Sequence, residues 1–104
     1  MFQKLRRLRT FEQQNFPSLQ SVLDRVLVAE IGLYAERGRP LTIKGLLLLN
    51  LGAPATVRRR LKRLVGLGII RKRPVSHDKR ICNLEVDSSM RMAIAKYLKV
   101  ISRL

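Results

Sequence analysis

The sequence predicts a mainly α-helical fold with one small β-hairpin, an α+β arrangement. Apolar residues recur at helical spacing in several separate segments. Two short segments rich in β-branched residues follow the most basic of these helices, with a polar connection between them. Glycine or proline marks most segment ends. At 104 residues and 46% hydrophobic content, the chain has the length of one domain and enough apolar side chains for a core.

The amino-terminal third contains one long helix and a segment with two interpretations. Residues 1–16 mix apolar and basic side chains, which fits either a short amphipathic helix or a frayed basic arm. The first long helix is predicted over 19–37, where apolar residues recur at helical spacing before Gly38 ends it. Glu30 falls in the middle of that apolar stripe. Because unpaired buried carboxylates are rare, we expect a rotated stripe rather than a buried Glu30.

Two helices joined by a tight turn are predicted next. Pro40 favours a short extended strand before the first of them, and Thr42 can cap that helix. The second helix starts at Ala53-Pro54, with proline in a tolerated first-turn position, and is expected to end at Gly66–Gly68. The intervening "NLGAP" gives the pair the pattern of a helix-turn-helix.

A hairpin and a last helix complete the chain. The strands are "IIRKRP" and "ICNLEV", joined by the polar connection "VSHDKR". Alternation places Cys82, Leu84 and Val86 on one face of the second strand. The last helix, 88–103, has an apolar seam at Met90, Ile94, Tyr97, Ile101 and Leu104. This order, helix, short strand, helix, turn, helix, hairpin and helix, predicts a winged helix-turn-helix.

The helix after the turn combines an apolar face with an outer face of one charge. On a helical wheel Val57, Leu61, Leu64 and Val65 form the apolar face. Small residues open the opposite face and basic residues continue it, with no acid in the helix for i,i+4 pairing. A membrane-surface helix would need its apolar face open to lipid. Here glycines interrupt that face and the hairpin follows at once, so the face is better used as core. A nucleic-acid contact is therefore favoured over a membrane helix or an inert solvated face.

Composition narrows the partners and the chemistry. There are 22 Lys and Arg against 7 Asp and Glu, for a net charge of +15, and no acid lies between Gly38 and His77. Such a charge indicates a polyanionic partner. One cysteine and one histidine leave no disulfide and almost no metal ligands, so neither metal nor cofactor is expected. We expect a cytoplasmic protein, since Leu46–Leu49 is too short to span a bilayer and no signal peptide is evident.

These residues carry a resemblance to a known family. Pro40-Leu41-Thr42, Ala55-Thr56-Val57, Gly68-Ile69-Ile70-Arg71 and Asp78-Lys79-Arg80 resemble the motifs of the multiple-antibiotic-resistance regulator (MarR) family of winged-helix transcription factors. The resemblance covers roughly residues 30–90. It implies a homodimer on double-stranded DNA, with the recognition helix, about 53–66, in the major groove. It also implies that the wing, 71–82, lies on the minor groove, where Asp78 orients Arg80.

The chain departs from the family pattern in two respects. It is short, so the dimerisation region is expected to be reduced to 1–25 and 88–104. The run Leu46–Leu49 leaves the preceding helix with no polar side, so one of its leucines is expected to face a partner surface or to be covered by the amino-terminal segment. No residue here carries over an effector-binding pocket, and the effector is unknown.

The sequence thus predicts a set of DNA contacts. The expected DNA-binding residues are Thr42, Lys44, Ala53, Pro54, Ala55, Thr56, Arg58, Arg59, Arg60, Lys62, Arg63, Arg73, Ser76, His77, Lys79 and Arg80. Asp78 is the only acid near the tip of the hairpin and is expected to shape the wing.

The expected function is sequence-specific DNA binding by a transcriptional regulator, with repression as the expected sign. One alternative is a winged-helix module that binds RNA or protein in a larger assembly; another is a non-specific architectural DNA binder. Splayed RNA bases require stacking aromatics, and none lies in the basic helix or the hairpin, which favours duplex DNA. An enzyme is the poorest interpretation, since the sequence has one His, one Cys, no Gly-rich phosphate loop before a helix and no carboxylate pair in a cleft-like context.

Overall fold

The computed structural model describes residues 1–75 and 77–103, with the side chains of Asp78 and Lys79 left undescribed. Its elements are α1 (Phe2–Asn15), α2 (Val22–Glu36), α3 (Ile43–Leu48), α4 (Pro54–Gly66), β1 (Ile70–Val75), β2 (Asp78–Val86) and α5 (Ser88–Ser102). The two strands form an antiparallel hairpin. This confirms the predicted fold class. Contacts divide the chain into two compact units, Ser21–Asp87 on the one hand and Met1–Gln20 with the chain from Ser88 onward on the other.

Helix α2 starts later than predicted because its cap lies later in the chain. The Ser21 hydroxyl oxygen accepts the Asp24 backbone N–H at 3.1 Å, and Asp24 Oδ2 accepts the Ser21 backbone N–H at 3.3 Å. This reciprocal capping box satisfies two N–H groups that a helix start leaves unpaired. The predicted start at residue 19 is therefore wrong by three residues.

The buried face of α2 is rotated relative to the apolar stripe that was counted from the sequence. Leu27, Val28 and Ile31 are buried, whereas Val22 is 72% exposed. Glu30 is only half-buried. The expectation that the apolar stripe is rotated, rather than that Glu30 is buried, is confirmed.

The helix-turn-helix forms as predicted, but the strand before it does not. Thr42 caps α3 through its hydroxyl, which accepts the Gly45 N–H at 3.1 Å. Before it, the Leu41 carbonyl accepts the Leu84 N–H at 2.8 Å. That single bond holds an extended segment and makes no third strand in the described sheet, so the predicted short strand is wrong. Within the leucine run of α3, Leu48 is the exposed member, at 70%.

Helix α4 is anchored by its apolar face. Val57, Leu61 and Leu64 are buried and Val65 is half-buried, which confirms the predicted face. The helix packs against α2 and β1. Its outer, basic side is consequently held toward solvent.

The hairpin is longer than predicted on its second strand. The pairs run from Ile70 with Val86 to Pro74 with Cys82, and the register shifts between Pro74 and Val75. β2 already begins at Asp78, inside the predicted polar connection. Leu84 and Val86 are buried and Cys82 is half-buried, so the predicted inner face is confirmed.

The other unit pairs α1 with α5 through one tyrosine. The Tyr97 hydroxyl donates to Glu12 Oε1 at 2.5 Å, and its ring stacks on Phe11 and meets Phe16 edge-on, both with centroids 5.5 Å apart. The amino-terminal segment is therefore a helix rather than a frayed arm. The predicted seam of α5 packs at Tyr97, but Ile101 is 36% exposed, and the described part of α5 has no fully buried side chain.

Two glycines at the end of α4 should respond oppositely to the same substitution. Gly68 has φ +75, and Gly66 has an ordinary helical conformation; an added Cβ would meet nothing within 4 Å at either. We expect Gly68→Ala to lower the free energy of unfolding by about 1–2 kcal/mol, since an L-residue is strained there. Gly66→Ala should raise it by up to about 1 kcal/mol through helix propensity. Urea denaturation measures both, and equal changes would contradict the assignment.

Candidate nucleic-acid interface

The recognition helix predicted over 53–66 is α4, and its outer face has two parts. Ala53, Pro54 and Ala55 are exposed at its start and Thr56 is half-buried. These small side chains let a ligand approach the helix backbone closely. The free N–H groups of the first turn also favour a phosphate there.

Three cations form the exposed second part of this face, and we call them the outer cations: Arg58, Arg59 and Lys62. They lie within five consecutive positions, so they form one compact group along the helix. Guanidinium groups can fork onto guanine edges or clamp phosphate, and the lysine adds a point charge.

The other two arginines of the helix, Arg60 and Arg63, are turned toward α2. Arg63 Nη1 lies 3.3 Å from Asp24 Oδ2, and Arg60 Nη1 lies 3.7 Å from the same oxygen. Their side chains are only 27% and 29% exposed. The helix itself contains no acid for i,i+4 pairing, as the sequence shows, but for these two arginines another helix supplies the acid.

Asp24 is the charge partner of this face that sequence reasoning missed. Its side chain is fully buried, and a buried carboxylate is stable only when it is paired and hydrogen-bonded. The same oxygen that caps α2 accepts from Arg63. The Ser-x-x-Asp spacing of Ser21 and Asp24 could have located the cap, but nothing local in the sequence indicates the arginines, which lie more than thirty residues away.

Two predicted contacts lie at the start of α3. Thr42 is half-buried and its hydroxyl is engaged with the Gly45 N–H, while Lys44 is exposed in the first turn. The hydroxyl therefore has a structural role, and Lys44 presents the charge.

The base of the wing is partly charge-balanced. Arg73 Nη2 lies 3.2 Å from Glu85 Oε1, and Arg71 Nη1 lies 3.7 Å from Asp87 Oδ1. The arginine side chains are 72% and 61% exposed, so these are surface pairs of small energy that a phosphate can replace. Glu85 on β2 and Asp87 just after it therefore offset part of the positive charge of the wing, in addition to Asp78, which the sequence indicated.

The tip of the wing carries the remaining predicted contacts. His77 and Arg80 are exposed. Ser76 lies outside the described residues, as do the side chains of Asp78 and Lys79. The predicted orientation of Arg80 by Asp78 therefore stays a prediction.

Solved structures share this arrangement of helices and hairpin across almost the whole chain. A crystal structure of MarR is 24% identical, with a TM-score of 0.64 over 95% of this chain and 70% of that one. The MepR–DNA complex from S. aureus is 14% identical, with a TM-score of 0.72 over 98% and 82%. The chain has the fold of the MarR-family winged-helix regulators. A cysteine-to-serine mutant of MarR from E. coli, complexed with operator DNA, is 15% identical, with a TM-score of 0.63 over 94% and 67%.

At the level of sequence, no protein-family model and no curated protein matches the chain. In this fold α4 is the second helix of the helix-turn-helix, and the β1–β2 hairpin follows it. Across residues 1–75 and 77–103, no helix has both the length and the apolar character that a membrane crossing requires. The same residues contain no cluster of three potential metal ligands.

Proposed function

We propose that this protein is a transcriptional regulator that binds double-stranded DNA sequence-specifically through α4. The observation that carries this proposal is the outer face of α4: a small-residue start, Ala53–Ala55, followed by the three exposed outer cations on a firmly anchored helix. A helix with small residues first can enter the major groove by its amino terminus and bring arginines to base edges and phosphates. Repression is the proposed sign of regulation, because occupancy of a promoter is enough to produce it.

Charge and aromatic placement favour duplex DNA over RNA. The net charge is +15, and counterion release on neutralising phosphates would supply much of the affinity. Single-stranded RNA recognition needs exposed aromatic platforms. Here Phe11, Phe16 and Tyr97 are packed together between α1 and α5, and neither α4 nor the hairpin contains an aromatic residue.

The wing supplies the second proposed contact. Its described cations Arg73 and Arg80 and the neighbouring His77 are exposed, and Ser76 and Lys79 complete the set by sequence. A narrow minor groove concentrates negative potential and attracts inserted arginine, which makes Arg80 the proposed minor-groove residue.

A homodimer is the proposed active form, with 1–25 and 88–104 as its dimerisation segments. The unit made of α1 and α5 leaves apolar side chains exposed, among them Phe2, Leu5 and Leu98 at 74%, 56% and 57%. Exposed apolar residues of this kind are typical of a protein–protein contact. Two copies would present two α4 helices about 34 Å apart, one turn of DNA.

Selection of bound fragments from a random duplex pool tests this function. We expect enrichment of an inverted repeat whose half-sites lie about one helical turn apart, because a two-fold symmetric dimer reads a palindrome. Tight binding without enrichment would replace the proposal with non-specific architectural binding. Absence of duplex binding, with retention of RNA or protein partners, would favour an assembly module.

A further inference from the structure

We infer that Asp24 is a positioning residue that withholds Arg60 and Arg63 from DNA and thereby fixes which face of α4 is presented. The inference rests on the proposed function, since it concerns how α4 meets a duplex. It assigns a role to a side chain that would not touch the ligand.

The geometry separates the basic residues of α4 into two sets. Arg59 and Arg63 lie four residues apart on neighbouring turns of one helix, yet Arg59 is exposed and Arg63 is held 3.3 Å from a buried carboxylate. Arg60 faces the same oxygen at 3.7 Å. A duplex would have to draw these two guanidiniums away from Asp24, and its buried carboxylate would then lose both ion pairs.

The same carboxylate also fixes the rotation of α4 about its axis. Asp24 is held in place by the capping box with Ser21, so its position is set by the start of α2. Arg60 and Arg63, three residues apart, give α4 two attachment points on one side. With that side turned to α2 and the apolar face packed inward, the outer cations and Ala55 are the face that remains.

Withholding two cations has a consequence for specificity. Phosphate contacts are sequence-independent, so each additional arginine on the backbone raises non-specific and specific affinity alike. Because Arg60 and Arg63 are paired with Asp24, the non-specific affinity for DNA is lowered, while the outer cations remain available to the duplex. Asp24 should therefore raise the ratio of specific to non-specific affinity.

The test measures the salt dependence of binding to a random duplex for Asp24→Asn, Arg63→Gln and Arg59→Gln. Asparagine keeps the size of the side chain and an oxygen for the Ser21 N–H. We expect Asp24→Asn to steepen the slope of log K against log salt by about one to two per copy and to bind random duplex more tightly, since each released arginine neutralises about one phosphate. Arg63→Gln should leave the slope unchanged, whereas Arg59→Gln should make it shallower by about one.

Two further variants keep the result interpretable. In the double variant Asp24→Asn with Arg63→Gln, the slope of log K against log salt should be shallower by about one than in Asp24→Asn alone. Ser21→Ala removes the capping hydroxyl but leaves the carboxylate, so it should lower stability without changing the slope. If Asp24→Asn fails to fold by circular dichroism, the Arg63 and Arg59 comparison carries the test, because Arg60 still pairs with Asp24 in Arg63→Gln.

The inference is overturned if Arg63→Gln makes the slope as shallow as Arg59→Gln does, or if folded Asp24→Asn leaves the slope unchanged. Failure of the proposed function is distinguishable, because it would be seen in the unmodified protein, either as no duplex binding at any salt concentration or as binding without sequence enrichment.

Discussion

Replacing the three outer cations together, Arg58→Gln, Arg59→Gln and Lys62→Gln, is expected to weaken duplex binding by about a hundredfold per bound copy at physiological salt. Each removed phosphate contact forfeits the release of about one counterion, so the slope of log K against log salt should become shallower by about three per copy. All three side chains are exposed, and none is held by Asp24. The fold should therefore be unaffected. Fluorescence anisotropy over a salt series measures both quantities.

A matched variant removes the same charge from elsewhere. Arg91, Lys96 and Lys99 are exposed on α5, outside the helix-turn-helix unit, and their replacement by glutamine also removes three cations. Salt-dependent affinity follows the phosphates that are contacted rather than the total charge, so this variant should bind within a few-fold of the unmodified protein. Equal losses in the two triple variants would mean that binding follows total charge, and α4 would lose its assigned role.

The elements of this chain were largely predictable because their signals are local. Pro54 at the first turn of α4, the Thr42 cap and Gly68 after the last turn each act within a few residues of themselves. The hydrophobic period of α4 then identifies its inner face. The start of α2 was mispredicted because the apolar spacing extends back to Leu19, whereas the reciprocal bonds between Ser21 and Asp24 fix the start.

The charge partners could not be predicted, for the opposite reason. Asp24 and Arg63 are 39 residues apart, and Arg73 and Glu85 are brought together by the register of the hairpin. A helical wheel places Arg63 on the outer half of α4, but it contains no information about α2, whose Asp24 pairs with this arginine. Sequence patterns thus identified which residues are basic and roughly which face they occupy, while the tertiary contacts decide which of them remain available to a ligand.

Leu64→Ala should cause the largest loss of stability among single changes in the recognition helix. Its side chain is fully buried on the face of α4 that packs against α2 and β1. Truncation removes apolar contacts and leaves a cavity, at a cost of about 2–5 kcal/mol. For a domain of this size that lowers the melting temperature by about 10–20 °C or more. Thermal unfolding followed by circular dichroism measures the change.

Leu67→Ala is the control for that change. Leu67 follows α4 by one residue, is 53% exposed, and loses the same atoms, so its cost should stay within about 0.5 kcal/mol. Because Leu64 anchors the helix that presents the outer cations, duplex affinity near the new melting temperature should fall in Leu64→Ala and recover on cooling. A similar loss of stability in both variants would mean that α4 is not held by its inner face, and the separation of α4 into an anchoring side and a reading side would then fail.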